Sequence, residues 1–336
     1  MTKMWMRILA LTLGAALFAG GAQAADKPFV AGQPGIPPVF VAVQFYVARD
    51  MGFFKKYGVD VDIRQFDTGV ADARAAAAGE TDLTNAPTPV IINLVSNGHV
   101  PLIGIYGLEH PDWVLATTDP SVKSCKDLVG HPIAVDTPGG ARSVVLRQLT
   151  AGCGYDFDKL QQVPVGANTA AAMIAGQVAI GVLHLDDVAT IEQKSPKKLV
   201  IIRTIKEAKP ISHYNLVAVR ADKLKANRDR YVRVVAALID AARFMYEPKN
   251  WDRVAQIATV TGHTKGEAKA ALKQFLAIEF WPKPGEDGLD RKRIEAEIAI
   301  QAKVGGIKPG NTPVTYDQLV DRTVWRDAAA LVAKTK

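Results

Sequence analysis

The chain has 336 residues, with 41 lysines and arginines against 34 aspartates and glutamates, a formal charge of +7. Its basic residues fall singly or in short pairs such as Lys55-Lys56 and Lys197-Lys198, with no basic-aromatic stripe, so they read as a solvated surface and not as a nucleic-acid interface. Six histidines scattered without ligand spacing give no metal site, and no cofactor motif is present.

The first residues have the form of a secretory signal peptide spanning 1–24. Lys3 and Arg7 make a positive start, Ile8 to Phe18 an apolar run, and Ala22-Gln23-Ala24 a small-residue cleavage site. The run is too short to span a bilayer, and no cysteine follows the cleavage site to carry a lipid. The expected mature chain starts near Ala25 and is periplasmic. It keeps about 310 residues, enough for two domains with substantial cores.

Phe29-Val30-Ala31 reads as a short strand, and Pro37-Pro38 open a helix that runs to about Asp50. Val59 to Arg64 alternates as a strand, Ala71 to Ala78 is helical, and Asp82 to Asn85 is a strand before a helix opening at Pro87-Thr88-Pro89. Leu102 to Tyr106 and Trp113 to Thr117 are further strands. Then come Ile133 to Val135, a Gly139-Gly140 turn and a helix through Leu149. Strands at Gln161 to Val165, Ile180 to Leu183, Leu199 to Arg203 and Asn215 to Val219 follow, with a helix over Ala167 to Ala175. Beyond Asn227 the pattern is helical, at 227–246, 251–261, 265–276, 291–303 and 325–334. Alternating strands and helices predict an α/β fold with mainly parallel sheets covered on both faces. Cys125 and Cys153 flank one strand-turn-helix unit at the same end. In an oxidising compartment they are either a disulfide or two small buried thiols.

The order of several motifs then resembles one family. Tyr46-x-Ala48-x-x-x-Gly52-Phe53-Phe54-x-x-x-Gly58-Val59-x-Val61, Ala78-Gly79-Glu80-Thr81-Asp82, and Val165-Gly166-x-x-x-Ala170-Ala171-x-Met173-Ile174-Ala175-Gly176-Gln177-Val178 are similar to the nitrate/sulfonate/taurine-type periplasmic substrate-binding proteins of ABC transporters. The similarity covers most of residues 28–220. Ala179 stands where many relatives have Asp, so a role for an acid there is lost or moved. The resemblance implies a two-domain periplasmic binding protein of type II-like form, with two crossover segments near Trp113 to Thr117 and His213 to Val217, and a helical C-terminal portion. Domain 1 would be discontinuous, 26–115 plus 218–336, and domain 2 would be 116–217.

The cleft between such domains is where ligand residues are expected. The turn after Ile133 to Val135 offers Thr137, Gly139, Gly140, Ala141, Arg142 and Ser143 at a helix start, where backbone N–H groups and the helix dipole suit an anion. Arg142 is the anion's bidentate partner in this reading, since a cation at that helix end is otherwise disfavoured; its plain alternative is a solvated surface residue. Facing residues are Phe40, Gln44 and Thr88, joined by His184, Asp186, Tyr214 and Asn215. Each has a structural alternative as core, helix start, helix cap or hinge packing.

The function these residues imply is delivery of a small organic anion to an ABC importer. The anion would be a sulfonate such as taurine or a carboxylate, with an aromatic body among the options. A monomer working with permease and ATPase subunits at the inner membrane is expected, with no nucleic acid and no catalysis. The alternatives are a binding protein for a thiamine-precursor pyrimidine, or a pyrimidine-related enzyme of the same fold. The synthases of that group depend on a cysteine-rich stretch absent here, and no G-x-S-x-G nucleophile is present. A sensor subunit that presents ligand to a membrane receptor uses the same closure.

Overall fold

The computed structural model describes residues 27–136, 139–166 and 169–335. The expected leader, 1–24, and Thr137 lie outside them. Ten strands are present: β1 (Phe29–Pro34), β2 (Val61–Phe66), β3 (Thr84–Pro87), β4 (Leu102–Leu108), β5 (Val114–Thr117), β6 (Pro132–Val135), β7 (Gln161–Pro164), β8 (Ile180–Leu183), β9 (Val200–Thr204) and β10 (Asn215–Arg220).

Two layers of sheet follow one plan. In the first half β1 pairs in parallel with β2, a parallel bridge from Ala31 to Leu83 leads toward β3, and β10 lies between β3 and β4. The second half has the order β7-β6-β8-β5-β9. In each half one strand opposes its neighbours: β10 is antiparallel to β3 and β4, and β5 is antiparallel to β8 and β9. The expectation of mainly parallel sheets is corrected at these two strands. Both are the first strand after the chain changes halves, so they start at the cleft and run away from it. The remaining strands run toward the cleft and deliver their carboxyl ends to it, the usual ligand position in open α/β sheets.

The changeovers fall earlier than the sequence suggested. All of β5 pairs in the second sheet and all of β10 in the first, so the crossings lie between Leu108 and Val114 and between Thr204 and Asn215. We place the domain limits by this sheet membership.

The C-terminal portion is helical, and it packs on both halves. The helix Arg228–Tyr246 is the most deeply buried, because apolar residues occupy nearly its whole circumference in the middle turns, from Val234 to Ala242. The helix Lys265–Ala277 begins at a capping box, Thr264 with Glu267, and reaches across to the helix Leu185–Lys194 of the second half. There Lys194 Nζ lies 2.6 Å from Glu267 Oε1. Cys125 and Cys153 are bonded, with Cα atoms 5.8 Å apart, at the end of the second half away from the carboxyl ends of β6 and β8. Among the described residues no helix is long and apolar enough to cross a membrane.

Candidate functional site

The carboxyl ends of the strands and the two crossings enclose a cavity of about 280 Å³. From the first half come Pro34, Gly35, Val39 and Phe40 after β1, Asp67 and Thr68 after β2, and Pro87 at the end of β3. Ala141 and His184 with Asp186 stand across from them at the starts of two helices. Asp112 and Trp113 arrive on the first crossing, Tyr214 and Asn215 on the second, and Phe275 and Phe280 from the tail.

One wall is aromatic. Phe40 stacks on Phe275 at 4.7 Å between centroids, Phe275 meets Phe280 edge-on at 4.6 Å, and Phe280 lies 5.5 Å from Tyr214. Opposite them Trp113 lies on the His184 ring, centroids 3.5 Å apart. Such faces suit a flat or apolar body.

The polar groups are mostly acceptors. Asp112 is 4% exposed, and its Oδ2 accepts from His184 Nδ1 at 2.9 Å and from the Leu185 N–H at 3.4 Å. Its Oδ1 has no other close partner among the described residues, and the Tyr214 hydroxyl donates toward this carboxyl. Asn215 Nδ2 donates to the Asn85 carbonyl and to Asn85 Oδ1, at 3.2 and 3.3 Å, which fixes the amide orientation and leaves its buried Oδ1 unpartnered. Asn85 in turn donates to Gln33 Oε1 at 3.0 Å, so a chain of amides holds Asn215 in place from behind.

Charge follows the same pattern. Burial, reinforced by repulsion from Asp187, pushes the Asp186 carboxyl up to about 6, against the pull of His184 and of His263, whose Nε2 lies 3.7 Å away. Burial disfavours a charged His184, but Asp112 outweighs it, so the imidazole is held above its ordinary value. Burial and the nearby Asp112 and Asp186 charges drive the Tyr214 hydroxyl well up, keeping it a neutral donor. Among the described residues the lining contains Asp67, Asp112 and Asp186 and no lysine or arginine.

Of the residues singled out from sequence, Phe40, Ala141, His184, Asp186, Tyr214 and Asn215 line this cavity. The others do not. Gln44 turns into the core, donating to Tyr106 Oη at 3.0 Å and to the Leu238 carbonyl at 2.9 Å. The Thr88 hydroxyl is 2.7 Å from His213 Nδ1 while His213 Nε2 donates to the Gly288 carbonyl at 2.7 Å. Burial keeps that imidazole neutral, its value lowered to about 4, so Thr88 is the donor and is already used. Ser143 Oγ donates to Gln162 Oε1 at 2.5 Å.

Part of the expected anion cradle is occupied by the chain itself. The Arg142 N–H donates to Asp136 Oδ1 at 3.2 Å, and a Cβ on Gly140 would stand 2.6 Å from that carboxylate, so glycine there lets Asp136 close the helix start. Gly139 takes the left-handed φ of +79° that the turn needs. The Arg142 guanidinium is buried and points inward: it donates to the Val182 carbonyl at 2.6 Å and to Asp187 Oδ2 at 3.1 Å through two nitrogens. Its carbon lies 5.6 Å from the Trp113 ring, behind the cavity wall. Asp187 also accepts from the His184 N–H at 3.2 Å, so it is the capping aspartate. Arg142→Ala is therefore expected to cost about 2 kcal/mol of stability, by stranding Asp187 and a carbonyl, while changing solute affinity less than about threefold. Urea unfolding beside calorimetric binding checks both.

Sequence reasoning missed Asp112, Trp113, Asp67, Phe275 and Phe280. The first two adjoin a crossover and were findable as polar-aromatic residues at a hinge. The tail phenylalanines carry no local signal.

The halves, the crossings and the cleft define the periplasmic-binding-protein fold. Solved structures share it: the aliphatic sulphonate binding protein SsuA of Escherichia coli superposes with a TM-score of 0.66 at 15% identity, over 87% of this chain and 91% of that one. The nitrate-binding protein NrtA of Synechocystis PCC 6803 gives 0.63 at 15% identity, over 92% and 90%. At the level of sequence, the NMT1/THI5-like family model matches residues 40–250, and the chain belongs to that family. A protein described as a binding protein from Brucella abortus strain 2308 is 24% identical over 198 residues, 58% of this chain. That match spans 60% of the relative's length.

Proposed function

We propose that the chain is the solute-binding subunit of an ABC importer, working in the periplasm with a permease and an ATPase. Its solute is a small organic molecule with a flat or apolar body and a polar end rich in hydrogen-bond donors, of the amine or ammonium class. The observation that carries this reading is the lining: three aspartates, an unpartnered acceptor on Asn215 and, among the described residues, no lysine or arginine, opposite stacked aromatic rings. A donor-bearing group satisfies these acceptors, and a cation also lies favourably over the rings. Because residues from both halves touch one cavity, the solute binds the closed arrangement better than an opened one, and that difference alone shifts the population. The permease then reads the closed form.

An organic anion has less support here, since the Arg142 guanidinium and the Arg142 N–H at the start of the helix Ala141–Leu149 are paired within the chain. The proteins named for sulphonate and nitrate share the fold at 15% identity, which does not carry their ligands over.

A calorimetric panel separates the two classes. Benzylamine and benzyltrimethylammonium stand against benzoate, taurine and an aryl sulfonate, measured between pH 5 and 7.5. Asp186 with its carboxyl near 6 is ionised at the upper end and largely neutral at the lower. Affinity for a permanent cation is therefore expected to rise about tenfold across that interval. Binding by the anions alone, strengthening as pH falls, overturns the amine reading.

A further inference from the structure

A second cavity, about 180 Å³, shares Asp112 and Trp113 with the cleft and is otherwise walled by different residues. Pro111, Val114, Leu185, Ile201 and Ile278 make it largely apolar, while Lys206, Lys209 and Arg293 stand in its wall. Its charge is thus the reverse of the cleft's. Two of the cations are committed: Lys209 Nζ lies 2.7 Å from Glu297 Oε1, and Arg293 donates to the Ser212 carbonyl at 3.1 Å and lies 3.5 Å from Glu109. The ammonium of Lys206 has no ion pair or hydrogen-bond partner among the described residues.

The location matters as much as the chemistry. Both crossings contribute wall, the first at 110–114 and the second at 204–212, and the backbone ties them together. The Ile205 N–H donates to the Trp113 carbonyl at 2.9 Å and the Tyr214 N–H to the Leu108 carbonyl at 3.0 Å. Leu185 and Ile201 belong to the second half, and Ile278 and Arg293 to the tail. A molecule seated here touches both crossings, the second half and the tail at once.

We propose that this cavity is a second ligand site, for a small organic acid with an apolar body, and that its occupation stiffens the two crossings. The volume equals that of about six waters at about 30 Å³ each, enough for a benzoate-sized body. That body takes its place among Pro111, Ile201 and Ile278, and the carboxylate pairs with Lys206 as a charge-assisted bond. Since the walls come from the second half, the tail and both crossings, the acid binds this arrangement of them and not one in which they part. It therefore tightens whatever the cleft holds, and by linkage the cleft solute tightens the acid. The site stands whether or not the cleft takes an amine.

The test titrates the purified mature chain with benzoate and hexanoate, and with benzamide and hexanamide as uncharged counterparts, while amide hydrogen exchange is followed at Ile205 and Tyr214. The acids are expected to bind at one site at least about tenfold better than the amides, and to slow exchange at both positions. Lys206→Glu weakens the acids by a similar factor, Ile201→Trp fills the cavity and abolishes binding, and Asp186→Asn in the cleft leaves it within about twofold. Lys206 is exposed, so its variant folds even where Ile201→Trp does not. Equal binding of acids and amides, no binding of the acids, or benzoate binding that ignores Lys206→Glu and responds to Asp186→Asn each overturns the proposal.

Discussion

Replacing Asp112 by alanine is expected to lower the unfolding free energy by about 3 kcal/mol and to weaken solute binding at least about tenfold. The carboxylate is buried on the first crossing and reaches the second half, where it accepts from His184 Nδ1 and the Leu185 N–H. Without it the imidazole under Trp113 stays desolvated with no partner, and the crossing loses its bond to the helix Leu185–Lys194. The cavity also loses one of its acceptors. The pH dependence has a definite sign. His184 is held above its ordinary value, so its contribution is fully present below the unfolded imidazole value and is lost as pH rises through the folded one. Asp186, also raised, acts in a lower window: the native state holds its proton more tightly than the unfolded chain, so stability falls as pH climbs from the ordinary carboxyl value to about 6. The stability difference between wild type and Asp112→Ala should therefore shrink as pH rises from 6 to 8.5. Asp112→Asn keeps the shape without the charge and should recover more stability at pH 8.5 than at pH 6. Urea midpoints for the three chains at the two pH values decide it; a variant as stable as wild type at pH 6 removes the pair from the account.

Most elements were legible because their signals are local. Val59 to Arg64 alternates, the alanine run stops at Gly79 in the left-handed conformation, and Pro87-Thr88-Pro89 opens a helix, so strand and helix positions followed from neighbours in sequence. Strand direction is a different kind of information. Nothing within Val114 to Thr117 or Asn215 to Arg220 says that these strands oppose their neighbours; that follows from where the chain changes halves. The site divided along the same line. Phe40, His184, Asp186, Tyr214 and Asn215 were found because they sit next to a strand end or a crossover, which spacing shows. Arg142 was located correctly on its helix and assigned the wrong neighbour. Its guanidinium turns to Asp187, 45 residues away, and no local pattern says which of two carboxylate sources, ligand or chain, will be nearer. Phe275 enters the cleft from the helix Lys265–Ala277, whose sequence pattern marks only an ordinary apolar face, and Phe280 from the segment just after it. Identity of residue type was visible throughout; pairing across long separations was not.

Removing the disulfide with Cys125→Ala and Cys153→Ala together is expected to cost about 3.5 kcal/mol, the chain-entropy value for a bridge whose ends are 28 residues apart. The closed loop contains β6 and the helix Ala141–Leu149, the unit that brings Ala141 to the cavity. The bridge does not hold that unit alone. The Tyr155 hydroxyl donates to the Cys125 carbonyl at 2.6 Å, and Arg203 Nη1 donates to the carbonyls of Leu149 and Ala151 at 2.9 and 2.8 Å. These bonds remain when the sulfurs are gone, so the native arrangement should persist at 25 °C with solute affinity within about twofold, because the bridge acts mainly on the unfolded chain. The loss should appear on heating, as a fall in Tm of roughly 7–14 °C at 2–4 °C per kcal/mol. Scanning calorimetry of the oxidised protein, the reduced protein and the double variant measures it. Reduction should reproduce the double variant, since both open the same loop; identical melting with and without reductant would show that the bridge constrains nothing the fold does not already fix.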